Sequence, residues 1–142
     1  ILATQFNTLA GKRIAVLGFA FKPDTGDTRD SPAFPLCERL LREKAIVRIH
    51  DPKALENART DLKHLDGDIT FCDDAYEATD GAHAIALVTQ WQEYRNLEFS
   101  RILERMERPA FLFDGRNHLD PQRLFELGFN VFPIGKSPLE HH

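Results

Sequence analysis

The sequence predicts an α/β fold, a doubly wound and mostly parallel sheet of six strands with helices on both faces. Three observations carry this. Short aliphatic runs such as "RIAVL" and "HAIALV" lack the apolar and polar alternation of a sheet with one wet face, so they read as strands buried on both sides. Between them lie stretches whose apolar residues recur at helical spacing. Strand and helix alternate along the whole chain, and a strand that returns to its sheet through a helix runs parallel to its neighbour.

Taken in order, Arg13 to Gly18 is the first strand. Ser31 then offers an N-cap and Pro32 a first helical residue, after which Phe34, Cys37, Leu40 and Leu41 share a face; the helix should end near Lys44. Ile46 to His50 is the second strand, closed by "DPKA", where Pro52 has no N–H with which to continue pairing. A weaker third strand spans Ile69 to Cys72, followed by a short helix from Asp74 to Thr79 with Asp73 or Asp74 as its cap. His83 to Val88 is a strong strand, and "TQWQEYRNL" turns the chain into a helix near Phe99 to Met106. Ala110 to Phe113 is the fifth strand. Pro121 to Leu127 reads as a helix stopped by Gly128, and Asn130 to Ile134 as the last strand. The architecture is of Rossmann type.

At 142 residues the chain is long enough for one domain with a sizeable core and too short for two ordinary ones. A net charge of -4 leaves no electrostatic footprint for nucleic acid or an anionic membrane, so a bound anion must be held by a local cluster of basic groups. No apolar run approaches the roughly 20 residues of a membrane span, and "ILATQFNTLAGK" lacks the pattern of a signal peptide, which makes a cytoplasmic location the expectation. Cys37 and Cys72 have no Cys or His partner at metal-ligand spacing and are expected as reduced, packed thiols. No metal site is expected. Ile1 to Leu9 has helical spacing but begins without a cap, as a piece of a longer protein would; residues 11–138 form the domain, and the terminal "LEHH" resembles the start of an expression tag, expected to stand outside the fold.

The polar groups collect where such a sheet binds ligands, outside the carboxyl ends of the strands. The first strand is followed by "GFAFKPDTGDTRDSP", a connection long enough to suggest function, the fifth by "DGR" and the last by "GK". Lys22, Arg29, Arg116 and Lys136 could therefore approach one edge and hold a phosphate or carboxylate. The competing reading is a set of solvated charges balanced by Asp24, Asp27, Asp30 and Asp114. The loop is not a G-x-G-x-x-G fingerprint, and Asp51 of "DP" is better read as a turn and capping residue than as a ribose-binding acid. His50 and His83 read as strand or strand-edge residues, His64 and His118 as solvated ones, and Trp91 as core more readily than as a ligand cover. No nucleophile, base and orienting partner complete a catalytic centre.

The motifs "GFAFKPDTGDTRDSP", "IHDPKA", "DAYEATDGAHAIALVTQWQEYRNL", "FLFDGRNHLD" and "IGK", colinear from about Gly11 to Lys136, closely resemble the C-terminal domain of the UDP-sugar and GDP-sugar dehydrogenase family, and within it the UDP-glucose 6-dehydrogenases. The resemblance implies oxidation of UDP-glucose to UDP-glucuronate with two NAD, in an enzyme of polysaccharide precursor synthesis. It implies that NAD is held mainly by the enzyme's own N-terminal domain and that residues 1–10 end a helical connection from that domain; a homodimer or higher homo-oligomer is expected. By the same resemblance Phe21, Lys22 and Arg116 contact the UDP-sugar, and Arg29 reaches the NAD pyrophosphate. The family's catalytic cysteine lies upstream, so no catalytic residue is expected in this chain and the isolated piece should be inactive. "GDTR" and "TQWQEY" favour UDP-glucose over UDP-N-acetylmannosamine or GDP-mannose. The alternative from another class is a non-catalytic nucleotide-binding module.

Overall fold

Six strands, β1 (Arg13–Leu17), β2 (Ile46–His50), β3 (Asp68–Phe71), β4 (Ala84–Leu87), β5 (Phe111–Asp114) and β6 (Asn130–Pro133), form one sheet in the order β3-β2-β1-β4-β5-β6. The coordinates are a computed structural model and describe residues 8–141. Every neighbouring pair is parallel, so the named strands form a wholly parallel sheet; an isolated antiparallel bridge joins Val131 to Leu139. β1 and β4 lie at the centre, and their runs Ile14 to Leu17 and Ala84 to Leu87 are buried. That burial on both faces is why neither strand alternates in sequence.

Six helices connect the strands: α1 (Ala33–Arg42), α2 (Leu55–Leu62), α3 (Ala75–Thr79), α4 (Gln92–Arg95), α5 (Phe99–Glu104) and α6 (Pro121–Leu127). The chain first steps outward from β1 through β2 to β3, then crosses back to place β4 beside β1. Right-handed crossovers in the two directions put α1 and α2 on one face and α3, α5 and α6 on the other. The helix face read from the sequence is the buried one: Cys37, Leu40 and Leu41 of α1 join the core, which fully buries Leu17, Leu40, Ile49, Leu62, Ile85 and Leu112. Each such side chain contributes about 1.5–3 kcal/mol relative to exposure.

Several details differ from the sequence reading, among them a short extra helix, α4, ahead of the one expected near Phe99. α1 begins one residue later than expected, with Pro32 in the cap position and the Ser31 hydroxyl accepting the Ala33 N–H at 3.2 Å. α2 is an element the periodicity did not reveal, because only Ala58 and Leu62 of it are buried, with Ala54 just ahead of it and Leu55 partly buried against the core. Leu139, expected outside the fold, exchanges backbone hydrogen bonds with Val131 at 2.8 and 2.9 Å, and the His141 ring stacks on Phe125. The helical spacing of Ile1 to Leu9 falls almost wholly outside the described residues; Leu9 itself is buried in an irregular segment. Both cysteines are free and buried, and burial pushes the Cys37 thiol up to about 12. Among the described residues no helix is long and apolar enough to cross a membrane.

Candidate functional site

Strand register creates the site. Leu17, His50, Leu87, Asp114 and Pro133 pair in one row across the sheet, so the connections that follow β1, β2, β4, β5 and β6 all leave from the same edge. Gly18 continues the ladder by donating its N–H to the His50 carbonyl at 2.7 Å. Its φ is +98°, and a Cβ there would lie 2.5 Å from the Thr89 Cβ, so the chain can leave β1 in this direction only through glycine.

Asp51, immediately beyond β2, holds the next step. It is 2% exposed. Its Oδ2 accepts the N–H groups of Phe19 and Ala20 at 2.8 and 2.9 Å and the Trp91 indole N–H at 3.1 Å, while its Oδ1 accepts the N–H groups of Lys53 and Ala54 at 2.8 and 2.9 Å. A buried carboxylate is tolerated when its lone pairs are filled in this way. Asp51 is thus a turn residue, as its "DP" context indicated, while the cap position of α2 falls to Ala54 without a side-chain bond; Asp51 also joins three connections. Thr89, buried beside it, donates its hydroxyl to the Ala20 carbonyl at 2.8 Å.

From there the loop turns outward. Phe21 is 44% exposed, Lys22 is exposed, and the Phe21 N–H donates to the Asp27 carbonyl at 2.7 Å, closing the loop on itself. The far half rests on α2: the Thr28 hydroxyl donates to Asp61 at 2.6 Å, and the Asn57 amide donates to the Gly26 carbonyl. A Cβ at Gly26 would lie 2.9 Å from the Lys53 carbonyl oxygen, so the backbone packs there too closely for a side chain. Arg29 is 88% exposed and forms a two-point pair with Asp27, Nε to Oδ1 at 3.0 Å and Nη2 to Oδ2 at 2.8 Å. The side-chain hydrogen bonds from Arg29 hold the Asp27 carboxyl down at about 2.

Arg116 crosses from the β5 end toward the β1 loop. Its Nε donates to the Val88 carbonyl at 2.8 Å, and its Nη2 reaches the Phe21 carbonyl at 3.5 Å. Neighbouring strands stand about 4.8 Å apart, so this side chain spans roughly 10 Å over β4. Asp114 anchors its turn: buried, it accepts the Arg116 N–H at 3.0 Å and the Leu119 N–H at 2.8 Å.

The structure therefore brings Phe21, Lys22 and Arg116 to one exposed edge and ties two of them together. Arg29 is bound instead to Asp27, at the other end of the same loop, and Lys136 is exposed in the turn after β6. His118, read as solvated, is half-buried and its Nε2 lies 2.8 Å from the Trp91 carbonyl, so it belongs to the frame of the site. Trp91 is buried and does not cover a ligand. His50 ends β2 with its Nδ1 2.9 Å from the Tyr94 hydroxyl, and burial lowers its pKa against the opposing pull of Glu93 and Asp51. Asp51, Thr89 and His118 are not legible as a group in the sequence, since Asp51 and Thr89 reach the β1 loop, and His118 reaches Trp91, across 27 to 69 residues. A groove of about 510 Å³ opens beside the loop between Thr28, Ser31, Phe34 and Asp61, but its acidic residues Asp30 and Asp61 suit no anion. Among the described residues no group of three His, Cys, Asp or Glu side chains is placed to hold a metal ion.

Fold and site define a doubly wound α/β domain with a basic edge at its strand ends. Residues 15–121 match the UDP binding domain of the UDP-glucose/GDP-mannose dehydrogenase family. The chain is 45% identical over 159 aligned positions to UDP-glucose 6-dehydrogenase 2 of Oryza sativa subsp. japonica, and 43% identical to UDP-glucose 6-dehydrogenase 1 of Arabidopsis thaliana. Each alignment takes in 99% of this chain and 33% of the relative, so the chain spans about a third of the curated relatives it matches. Its structure superposes on a UDP-glucose dehydrogenase from the hyperthermophilic archaeon Pyrobaculum islandicum with a TM-score of 0.71 at 28% identity, covering 90% of this chain and 28% of that one. The chain belongs to the UDP-glucose/GDP-mannose dehydrogenase family, as its UDP binding domain. The resemblance drawn from the loop motifs holds.

Proposed function

We propose that this chain is the substrate-binding domain of a UDP-glucose 6-dehydrogenase, an enzyme that oxidises the C6 alcohol of UDP-glucose to the carboxylate of UDP-glucuronate. The observation that carries the reading is the tie between Arg116 and the Phe21–Lys22 segment at the strand-end edge of a chain with this family membership. In this reading Lys22 and the unused N–H groups of Arg116 hold the diphosphate and sugar hydroxyls, and the exposed face of Phe21 packs against the sugar.

The overall change removes two hydrides and consumes one water, so two NAD accept the electrons for each UDP-glucose. This chain fits only the margin of such a cofactor. Its β1 loop carries Ala20 and Pro23 where a dinucleotide fingerprint opening at Gly18 needs glycines, and α1 begins 15 residues beyond Gly18 instead of directly at that turn. We assign Arg29 the role of an exposed contact to the pyrophosphate of NAD held mainly by the enzyme's own N-terminal domain, with residues 1–10 as the connection from it and the whole enzyme a homo-oligomer. The oxidation chemistry belongs to that remainder; the residues here bind and orient.

The test is NAD reduction by the full-length enzyme offered UDP-glucose, UDP-N-acetylmannosamine or GDP-mannose. UDP-glucose should be used at least about tenfold better than either, by kcat/KM, as expected when a site hydrogen-bonds the groups that distinguish its substrate. Preference for one of the other two would overturn the assignment. A domain that binds nucleotide in an assembly with no dehydrogenase activity would instead make it a binding module.

A further inference from the structure

Trp91 makes contacts that join both halves of the edge from beneath. Its indole N–H donates to Asp51 Oδ2, the same oxygen that accepts the Phe19 and Ala20 N–H groups ahead of Phe21 and Lys22. Its carbonyl accepts from His118 Nε2 at 2.8 Å, which places the ring proton on Nε2, two residues beyond Arg116. Ala20 is gripped from the other side by Thr89, and the Phe21 carbonyl by Arg116. The connections after β1, β2, β4 and β5 are thus linked through one residue, the first two through its indole N–H and the last through its backbone carbonyl. An indole beneath a strand end can serve as plain core filling, but an aromatic chosen only for volume leaves a polar atom to satisfy. Here that atom is aimed at the carboxylate that sets the loop.

We propose that Trp91 and His118 are positioning residues for UDP-sugar binding, which hold Lys22 and Arg116 at the separation the substrate requires. The inference rests on the substrate-binding role of those two residues argued above. Neither Trp91 nor His118 touches substrate in this scheme; they act through Asp51 and the β5 turn. Loss of the indole N–H leaves Asp51 Oδ2 with two donors in place of three and frees the β4 connection to shift. The effect belongs to the sugar nucleotide and not to NAD, because Arg29 is paired with Asp27 and its neighbour Thr28 rests on Asp61 of α2, away from Trp91.

The experiment uses the full-length enzyme and measures kcat, the KM for UDP-glucose, the KM for NAD and the thermal midpoint. Trp91→Phe keeps the aromatic volume and should raise the KM for UDP-glucose about tenfold, the effect of one hydrogen bond to a charged group. The KM for NAD should stay within about twofold. His118→Ala should act in the same direction and His118→Gln, which can still donate to the Trp91 carbonyl, should recover most of the loss. Lys22→Ala and Arg116→Ala complete the series. If those two raise the KM for UDP-glucose while Trp91→Phe and His118→Ala lower only the thermal midpoint, the positioning role is overturned and the site stands. If Lys22→Ala and Arg116→Ala also leave that KM unmoved, the site itself is overturned and the positioning role falls with it.

Discussion

Replacement of Gly18 by alanine tests the frame of the site at its tightest point. Gly18 has a φ of +98°, and an added Cβ would meet Thr89 at Cβ (2.5 Å), at the backbone N (2.6 Å) and at Oγ1 (2.6 Å). A non-glycine residue in a left-handed conformation costs about 1–2 kcal/mol. Forcing a methyl into packed surroundings adds about 1–3 kcal/mol. If Thr89 retreats, its hydroxyl leaves the Ala20 carbonyl, a buried hydrogen bond that contributes about 1 kcal/mol. The sum is about 3–6 kcal/mol, against a whole-domain stability on the order of 5–15 kcal/mol. For a chain of this length that lowers the thermal midpoint by roughly 10–20 °C. Urea and thermal unfolding followed by circular dichroism would measure it on this chain. Because the Thr89 backbone nitrogen is as close as its side chain, Gly18→Ala/Thr89→Ala should recover less than half of the loss. A loss below about 1 kcal/mol, or full recovery in the double variant, would refute the reasoning, since neither fits a contact with immobile backbone.

Two further outcomes are open to measurement. Arg116→Lys keeps the charge but gives up the Nε bond to the Val88 carbonyl and the planar fork; in the full-length enzyme UDP-glucose should bind about tenfold more weakly, with little change in thermal midpoint because the side chain is exposed, and wild-type affinity would rule out two-point recognition there. His50 should make the domain acid-labile: burial lowers its folded pKa, so the unfolded chain takes up the proton first. Stability from this group is complete above about pH 6.5 and declines as pH falls from there through the depressed folded value. Melting of the native chain and of His50→Gln between about pH 7.5 and about pH 5.5 should show the slope reduced in the variant; an equal slope would assign the acid loss to other groups.

How much of this was legible in the sequence depended on whether a signal was local. β2 and α6 were readable to the residue, because Pro, Gly and the run of aliphatic side chains punctuate them within a few positions. α2 was not: with Ala58 and Leu62 its buried residues and Ala54 just ahead of it, "ALENARTDL" carries too little apolar periodicity to separate from a polar loop. That omission mattered for the site, since α2 supplies Asn57 and Asp61, the residues on which the far half of the β1 loop rests. Phe21, Lys22 and Arg116 were legible as chemistry at strand ends, yet the bond from Arg116 to the Phe21 carbonyl joins positions 95 residues apart, which no spacing rule reaches. The same holds for His118, whose neighbour Trp91 is one full crossover earlier.

The charge balance of the edge also has a structural cause. A chain of net charge -4 would not be expected to attract a dianionic sugar nucleotide, and the loops in question carry as many aspartates as cations. The distribution of hydrogen bonds leaves that sum unchanged but fixes where the negative charge sits. Asp51 and Asp114 are buried and spent on backbone and indole N–H groups, and Asp120 is spent as the cap of α6. Asp27 is spent on Arg29, leaving Asp24 and Asp30 as the exposed acids of the β1 loop. Of these six acids only Asp27 forms an ion pair with one of the basic groups Lys22, Arg29, Arg116 and Lys136 among the described residues. Lys22 and Arg116 form no ion pair with a carboxylate among the described residues, so their charged N–H groups stay open to a ligand at this edge. Screening sets in over about 8–10 Å at ordinary ionic strength, which hides the distant net charge from a bound ligand but not these adjacent cations.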